Sequence, residues 1–213
     1  NAAPAGAERG VFAPQQPADE PLTPIDPVRS RTPGEEKQLD ALAHFMAAEL
    51  YLERGEDELV PKALRELEQA IELNPSEIDP YRLYIPAAVR LQDDERARKY
   101  ALLATEKTEE GVQLLRALVA VYVQQGQVKS AIAALEQSQQ LDGLGPQSFA
   151  RLILNRHLGQ CYDLDEQPEP AAAAYRRLFE ALTPEPEGLT ETERLQLFGE
   201  KGELYEEMGN AFL

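Results

Sequence analysis

Apolar and polar residues recur along most of this chain with the spacing of α-helices. From Leu39 onward the sequence is rich in alanine, leucine, glutamate, glutamine and arginine, all of which favour helices. Runs of alternating β-branched residues bounded by turn residues, which would predict strands, are missing from the sequence. The pattern therefore predicts an all-α body, with helices over residues 33–54, 59–73, 77–91, 94–108, 110–125, 128–140, 147–163, 169–182 and 191–208.

Two of these helices begin at a recognisable capping sequence. Thr32 is followed by a proline and then by Glu35, and Thr190 is followed three residues later by Glu193. A threonine and a glutamate at this spacing can satisfy each other's backbone N–H groups at the start of a helix, which is the capping box. Both sequences therefore predict helix starts, at residues 33 and 191.

The helical region contains an internal repeat. Three small or apolar positions recur with spacings of four and then three residues, and we call them the alanine slots. They are Ala63, Leu67 and Ala70; Ala97, Ala101 and Ala104; Ala131, Leu135 and Ser138; and Ala171, Tyr175 and Leu178. A further position, which we call the core slot, precedes each set and holds Tyr51, Ala88, Tyr122 and Tyr162. Gly55 and Gly126 follow their core slots by four residues, where a left-handed helix stop is useful.

This repeat resembles the tetratricopeptide repeat, a helix-turn-helix unit of about 34 residues. The best single match is the segment from Lys62 to Pro75, whose proline lies where the family pattern ends. Two departures stand out: the chain has no tryptophan, and Pro86 falls inside a predicted helix, where we expect it to cause a bend.

The resemblance implies a right-handed superhelical solenoid of antiparallel helix pairs, with about four and a half repeats. Small alanine slots let paired helices approach closely, and one pair alone cannot bury both faces, so neighbouring pairs must stack. The expected repeats cover residues 41–77, 78–111, 112–151, 152–194 and a partial unit at 195–213. Because that last unit stops where a second helix would begin, we expect the sequence to be part of a longer repeat protein.

Residues 1–31 differ from the body. Prolines recur there among alanine, glutamine and acidic residues, at Pro4, Pro14, Pro17, Pro21, Pro24 and Pro27. Proline lacks the backbone donor that helix and sheet interiors need. This segment is therefore predicted to be a disordered or extended arm in front of a solenoid over residues 32–213. The alternative is a docking arm anchored by Val11, Phe12, Leu22 and Ile25.

Charge excludes one class of partner. The chain carries 38 acidic and 21 basic residues, a formal net charge of −17. Such a surface repels phosphate backbones, so we expect no nucleic-acid binding. The longest nearly apolar run, from Leu114 to Val123, is too short to span a bilayer. The sequence does not indicate in which cellular compartment the protein acts.

No sequence motif points to catalysis, a cofactor or a metal. Glycine-rich phosphate loops, paired cysteines and nucleophile motifs are missing from the sequence. His157 and Cys161 share a helix face, but two ligands do not make a metal site, and we expect both to pack in the interior. We therefore predict that the chain is not an enzyme.

The resemblance also implies a concave groove lined by the first helix of each repeat. Six residues before the core slot, three successive repeats carry an arginine: Arg82, Arg116 and Arg156. Other positions implied to face the groove hold Arg90, Gln113, Gln124 and Gln160. A ladder of guanidinium groups suits carboxylates, so an acidic ligand is one interpretation. The alternative is internal neutralisation by Glu49, Asp79 and Asp163.

Three functional hypotheses follow. The first is a non-enzymatic interaction scaffold that binds a peptide or a partner surface in the groove. The second is an accessory or recruitment domain of a larger enzyme or of an envelope or transport assembly. The third is a repeat protein that self-associates into a homo-oligomer.

Overall fold

The computed structural model describes residues 30–108, 110–184, 186–199 and 202–212. Within these ranges the regular structure is helical and no strand is present. The α-helices are α1 (Pro33–Glu53), α2 (Val60–Leu73), α3 (Asp79–Arg90), α4 (Asp94–Lys107), α5 (Gly111–Gln124), α6 (Val128–Ser138), α7 (Phe149–Leu164), α8 (Pro168–Ala181), α9 (Glu191–Phe198) and α10 (Glu203–Ala211). The predicted arm, residues 1–31, falls almost entirely outside the described residues.

The first eight helices form four consecutive pairs. Each helix from α1 to α7 packs against the next one in the sequence. The first helices of the pairs form one layer, in which α5 contacts both α3 and α7, and the second helices α4 and α6 contact each other in the other layer. Contacts therefore run between neighbours along the stack, which confirms the predicted all-α repeat solenoid. The handedness of its superhelix stays a prediction.

The alanine slots form the close contacts of this stack. Ala63, Ala97, Ala131 and Ala171, the first slot of each set, are all fully buried. A methyl side chain keeps the paired helix axes close, while larger buried residues such as Tyr122 fill the remaining space between pairs. The repeat seen in the sequence is thus the packing repeat of the core.

The first helix of every pair ends at a residue with left-handed backbone geometry. Gly55 and Gly126 have φ values of 70° and 74°, as predicted, and the equivalent positions Gln92 and Glu166 have φ values of 57° and 55°. All four residues lie four positions after a core slot. The geometry of the turn is therefore set by the repeat, even where the residue carries a β-carbon.

Local signals at the helix starts behave as predicted. Thr32 and Thr190 both form complete capping boxes with Glu35 and Glu193. A short 3-10 turn, Asp57–Leu59, occupies the connection between α1 and α2. Helix α3 runs through the exposed Pro86 without interruption, and the bend expected at this residue stays a prediction.

The prediction of one helix over residues 191–208 is wrong. Gly199 and Gly202 both have φ values of 74°, which an α-helix cannot accommodate, and they separate α9 from α10. Tyr205, which fits the repeat pattern as a core residue, is 60% exposed and stacks on Phe198. The interior side of α10 is instead formed by Leu204 and Met208.

The two C-terminal helices take different places in the stack. Helix α10 packs against α8 and also contacts α7, as the first helix of a fifth pair would. Helix α9 contacts α7, and a hydrogen bond from Arg116 joins it to α5. Helix α9 therefore lies on the layer of first helices, outside the order of the repeats.

Candidate interaction groove

Arg82 lies on α3 and has acidic partners. Its Nη1 atom donates to Oδ1 of Asp79 at 2.9 Å, and its Nη2 atom donates to Oε2 of Glu110. The side chain is 48% exposed, so a partner can still reach it. The predicted internal neutralisation by Asp79 thus holds at this arginine, with Glu110 as a second acid that the sequence pattern did not indicate.

Arg90 and Gln124 lie away from the other groove candidates. Arg90 ends α3, and its Nη2 atom donates to the carbonyl of Gly55 at 2.9 Å and to the carboxylate of Asp57. These bonds tie α3 to the connection between α1 and α2. Gln124 is exposed at the last residue of α5.

The remaining four candidates meet in one hydrogen-bonded network between α5 and α7. Nη1 of Arg116 donates to Oε1 of Gln113 at 2.8 Å, and Nε of Arg116 contacts Nε2 of His157 at 3.0 Å. Nδ1 of His157 contacts Oε1 of Gln160 at 3.0 Å. The amide of Gln160 donates to Glu207, which is the partner of Arg156. We call the side of α5 and α7 that carries this network the groove face.

The network fixes the tautomer of His157. A guanidinium N–H can only donate, so Nε2 of His157 must accept and carries no proton. The ring proton then lies on Nδ1 and is donated to Gln160. Burial lowers the pKa of His157, and the charges of Arg116 and Arg156 lower it further. The imidazole is therefore neutral at pH 7.

Arg156 joins α7 to both C-terminal helices. Its Nε and Nη2 atoms donate to the two carboxylate oxygens of Glu207 on α10, at 3.0 and 2.6 Å. Its Nη1 atom donates to the backbone carbonyls of Gln196 and Leu197 on α9, at 3.1 and 2.9 Å. The Arg156 side chain is only 11% exposed. Its positive charge is thus used inside the chain.

Arg116 differs from the other two groove arginines in its partners. Besides Gln113 and His157, it donates to Oε1 of Gln196 on α9 at 3.0 Å. Among the described residues no carboxylate forms an ion pair with it. Burial and the charge of Arg156 lower its pKa, although a guanidinium stays protonated. Arg116 is therefore a partly buried cation whose acceptors are all neutral.

Sequence reasoning did not predict that Gln196 and Glu207 would bond to the groove arginines. Both lie in the segment that was predicted as one continuous helix. It also placed Asp163 among the acids opposite the groove arginines, whereas its carboxylate accepts a hydrogen bond from Tyr175. No local signal could have revealed the contact between Gln196 and Arg116, since the two residues lie 80 positions apart in the sequence.

The other reactive side chains have structural roles. Cys161 is buried, and burial raises the pKa of its thiol to about 11, so it is unreactive at neutral pH. His44 contacts the carboxylate of Glu66 at 2.7 Å. Within the described ranges, no group of three or more potential ligands could hold a metal ion. No described helix is both long and apolar enough to cross a membrane.

A second surface feature lies at the opposite end of the stack. Helix α1 exposes four apolar side chains along one stripe, Leu39, Leu42, Met46 and Leu50, with exposed fractions from 43% to 61%. Beside it, a pocket of about 440 Å³ opens between α1, the end of α2 and the start of α3, lined in part by Leu42, Phe45 and Pro80.

The repeat geometry decides the kind of fold. Four helix pairs share the alanine slots, the core slot and a left-handed residue four positions after it. The chain is tetratricopeptide-like.

Comparisons with known proteins add no functional assignment. No protein-family model and no curated protein matches the chain. Similar solved structures include PilF of Pseudomonas aeruginosa, with 18% identity over 83% of this chain and 75% of that chain, at a TM-score of 0.37. A putative kinesin light chain of Podosopora anserina is 16% identical over 86% of this chain and 97% of that chain, at a TM-score of 0.39. YrrB, described as a TPR protein with an unusual peptide-binding site, is 19% identical over 83% of this chain and 89% of that chain, at a TM-score of 0.37.

Proposed function

We propose that this chain is a non-enzymatic interaction scaffold, and that its groove face binds a peptide or a partner surface. The observation that carries this proposal is that the groove face is already in contact with a polypeptide segment outside the repeat order. Helix α9 lies there, and Arg116 and Arg156 bond to it. A surface that holds one helix through partly buried arginines is suited to holding another.

Capture with matched charge-reversal variants tests the proposal. The full chain is immobilised as the unaltered protein, as Arg116→Glu and as Arg176→Glu, a charge reversal at an exposed position of α8. Arg156 is left intact because it pairs with Glu207 inside the chain. Partners that bind the unaltered protein and Arg176→Glu but not Arg116→Glu support binding at the groove face. Partners retained equally by all three contradict it, provided that circular dichroism shows equal helix content.

Self-association is a second candidate, and the apolar stripe on α1 favours it. Soluble proteins seldom expose apolar residues contiguously without a partner for them. Light scattering of the full chain tests this candidate, with Met46→Glu on the stripe and Arg65→Glu on the exposed side of α2 as the control. A dimer that Met46→Glu alone dissociates supports it, and a monomeric unaltered chain contradicts it.

A further inference from the structure

Helix α9 is attached to the groove face by contacts that resemble those of a bound ligand. It follows α8 in the sequence, yet its contacts are to α7, to α10 and, through Arg116, to α5. The next repeat position, beside α8, is taken by α10. The chain therefore places an additional helix across two first helices and continues the stack after it.

Most of the contacts lie at the C-terminal end of α9. The last carbonyls of a helix lack partners within the helix and carry partial negative charge. Helix α9 has no basic residue in its last turn, and Arg156 instead donates to the carbonyls of Gln196 and Leu197. The N–H of Gly199 completes this end by donating to the carbonyl of Leu195. Arg156 thus acts as a cap supplied by another helix.

Side chains add two further points of recognition. Leu197 is fully buried, whereas Leu195 on the same helix is 52% exposed. Gln196 lies between them and accepts from Arg116 at 3.0 Å. The groove face therefore recognises a capped helix end, an apolar side chain close to that end and a hydrogen-bond acceptor immediately before it.

The attachment of α9 is small compared with that of the repeat helices. Its eight residues include a single buried one, and an isolated helix of this length does not persist in water. Gly199 and Gly202, both with positive φ, form the connection to α10. Helix α9 consequently loses only one fully buried side chain, Leu197, when it leaves the groove face.

The acceptor that α9 offers to Arg116 is not the strongest one available. Hydrogen bonds from a guanidinium to a carboxylate are shorter and stronger than those to a neutral amide. Arg116 meets an amide from Gln113, another from Gln196 and a neutral imidazole. A helix with a carboxylate in place of the Gln196 amide would therefore be held more tightly than α9.

We propose that the groove face is a receptor for the C-terminal end of a short amphipathic helix of a partner protein, and that α9 is its displaceable intramolecular occupant. The partner helix carries a leucine where α9 has Leu197, and aspartate or glutamate where α9 has Gln196. This inference rests on the proposed function and specifies the partner and the competition that governs its binding.

A constrained peptide is the probe that tests this inference. It has the sequence of residues 189–199 with glutamate in place of Gln196, and a hydrocarbon bridge joins the exposed positions 191 and 195 to keep it helical. Binding to the full chain is measured by fluorescence anisotropy. Leu197→Asp in the chain releases α9 because a carboxylate cannot occupy the buried site. We expect this variant to bind the peptide at least tenfold more tightly than the unaltered chain.

Three further proteins complete the test. Leu195→Asp changes an exposed residue of α9 and should bind like the unaltered chain. Gln196→Glu gives α9 its own carboxylate and should weaken peptide binding several-fold. Arg116→Ala, added to the Leu197→Asp chain, should weaken binding about tenfold. Where Leu197→Asp fails to fold, Leu197→Ala replaces it.

Equal affinity of the peptide for the unaltered and released chains, or binding to neither, overturns the inference. A gain in affinity that Arg116→Ala leaves unchanged overturns it as well. Either result leaves the scaffold proposal standing if Arg116→Glu still abolishes partner capture, so the two can fail separately.

Discussion

A β-carbon added to Gly159 would lie 2.6 Å from Cζ of Tyr175, well inside the contact distance of two carbon atoms. Helices α7 and α8 cross at this point, and the ring of Tyr175 packs directly over the glycine backbone. The Tyr175 hydroxyl group donates to Asp163 at 3.1 Å, which fixes the ring in place. The ring therefore cannot move aside without losing this bond.

We accordingly expect Gly159→Ala to lower the free energy of unfolding by about 1–3 kcal/mol, since overpacking forces side chains and backbone apart. Gly209→Ala is the matched control, because Gly209 lies in α10 with no heavy atom within 4 Å of an added β-carbon. It should raise stability by up to about 1 kcal/mol through helix propensity. Urea unfolding measures both, and a loss of the same size in the two variants would contradict the packing argument.

The left-handed helix stops lead to a second prediction. Gln92 and Glu166 adopt positive φ although they carry β-carbons, whereas Gly126 occupies the equivalent place without one. Left-handed geometry costs a residue with a β-carbon about 1–2 kcal/mol. Glycine avoids this cost, but it loses more conformational entropy on folding, which offsets part of the gain. Gln92→Gly and Glu166→Gly should each stabilise the chain by roughly 0.5–1 kcal/mol.

The reverse substitution provides the control. Gly126→Gln should destabilise the chain by a similar amount, and no steric clash complicates it because no heavy atom lies within 4 Å of an added β-carbon. The two stabilising substitutions lie in different helix pairs, so their effects should add in thermal unfolding. If Gly126→Gln stabilises the chain, the explanation by left-handed backbone geometry is wrong.

The four helix pairs were predictable because their signals are local. The alanine slots, the core slots and the left-handed stops all recur within one repeat length, and the packing of each pair uses the same positions. The C-terminal helices were not predictable in this way. Gly202 fits the slots of the repeat pattern, and Gly199 falls at the groove position that holds an arginine in three other repeats. The positive φ values of both glycines appear only in the folded chain.

The groove face was predictable in part for a related reason. The equivalent positions of Arg116 and Arg156 follow from the repeat, but the identity of their partners does not. Glu207 lies 51 residues after Arg156, so nothing in the local pattern connects the two. Whether a groove arginine is neutralised internally or left for a ligand is decided by such distant contacts.

Arg151 supports a third prediction, on the connection between α6 and α7. Its guanidinium donates to the carbonyls of Ser138 at 2.9 Å, Leu141 at 2.7 Å and Leu144 at 3.3 Å. These bonds hold a ten-residue connection against the start of α7, and they satisfy the carbonyl of the last residue of α6 and two carbonyls of the connection itself. Arg151→Leu should lower the free energy of unfolding by about 2 kcal/mol.

Arg151→Lys should recover only part of this loss, because an ammonium group is a point charge and cannot reproduce the planar fork. Arg176→Leu, an exposed change on α8, should alter stability by less than about 0.5 kcal/mol. Hydrogen exchange of residues 139–148 would report the local effect directly. Unchanged protection of that connection in Arg151→Leu would show that other contacts hold it.

His157 makes the stability of the chain depend on pH. The folded chain holds the imidazole neutral, because burial and the charges of Arg116 and Arg156 lower its pKa, partly opposed by Gln160 and Glu207. In the unfolded chain the same histidine takes up a proton at its ordinary pKa of about 6.5. Between 6.5 and the lowered folded value, the unfolded state therefore binds more protons than the folded state. The free energy of unfolding must fall as the pH decreases through that window.

Comparison with His157→Gln isolates this contribution, since all other side chains, including His44 and its partner Glu66, are the same in both proteins. Glutamine can still accept from Arg116 but cannot be protonated. As the pH is lowered from 8 to 5, the unaltered chain should lose stability relative to the variant, by at most about 1.4 kcal/mol per pH unit. A difference between the two proteins that stays constant with pH would show that His157 titrates alike in the folded and unfolded states.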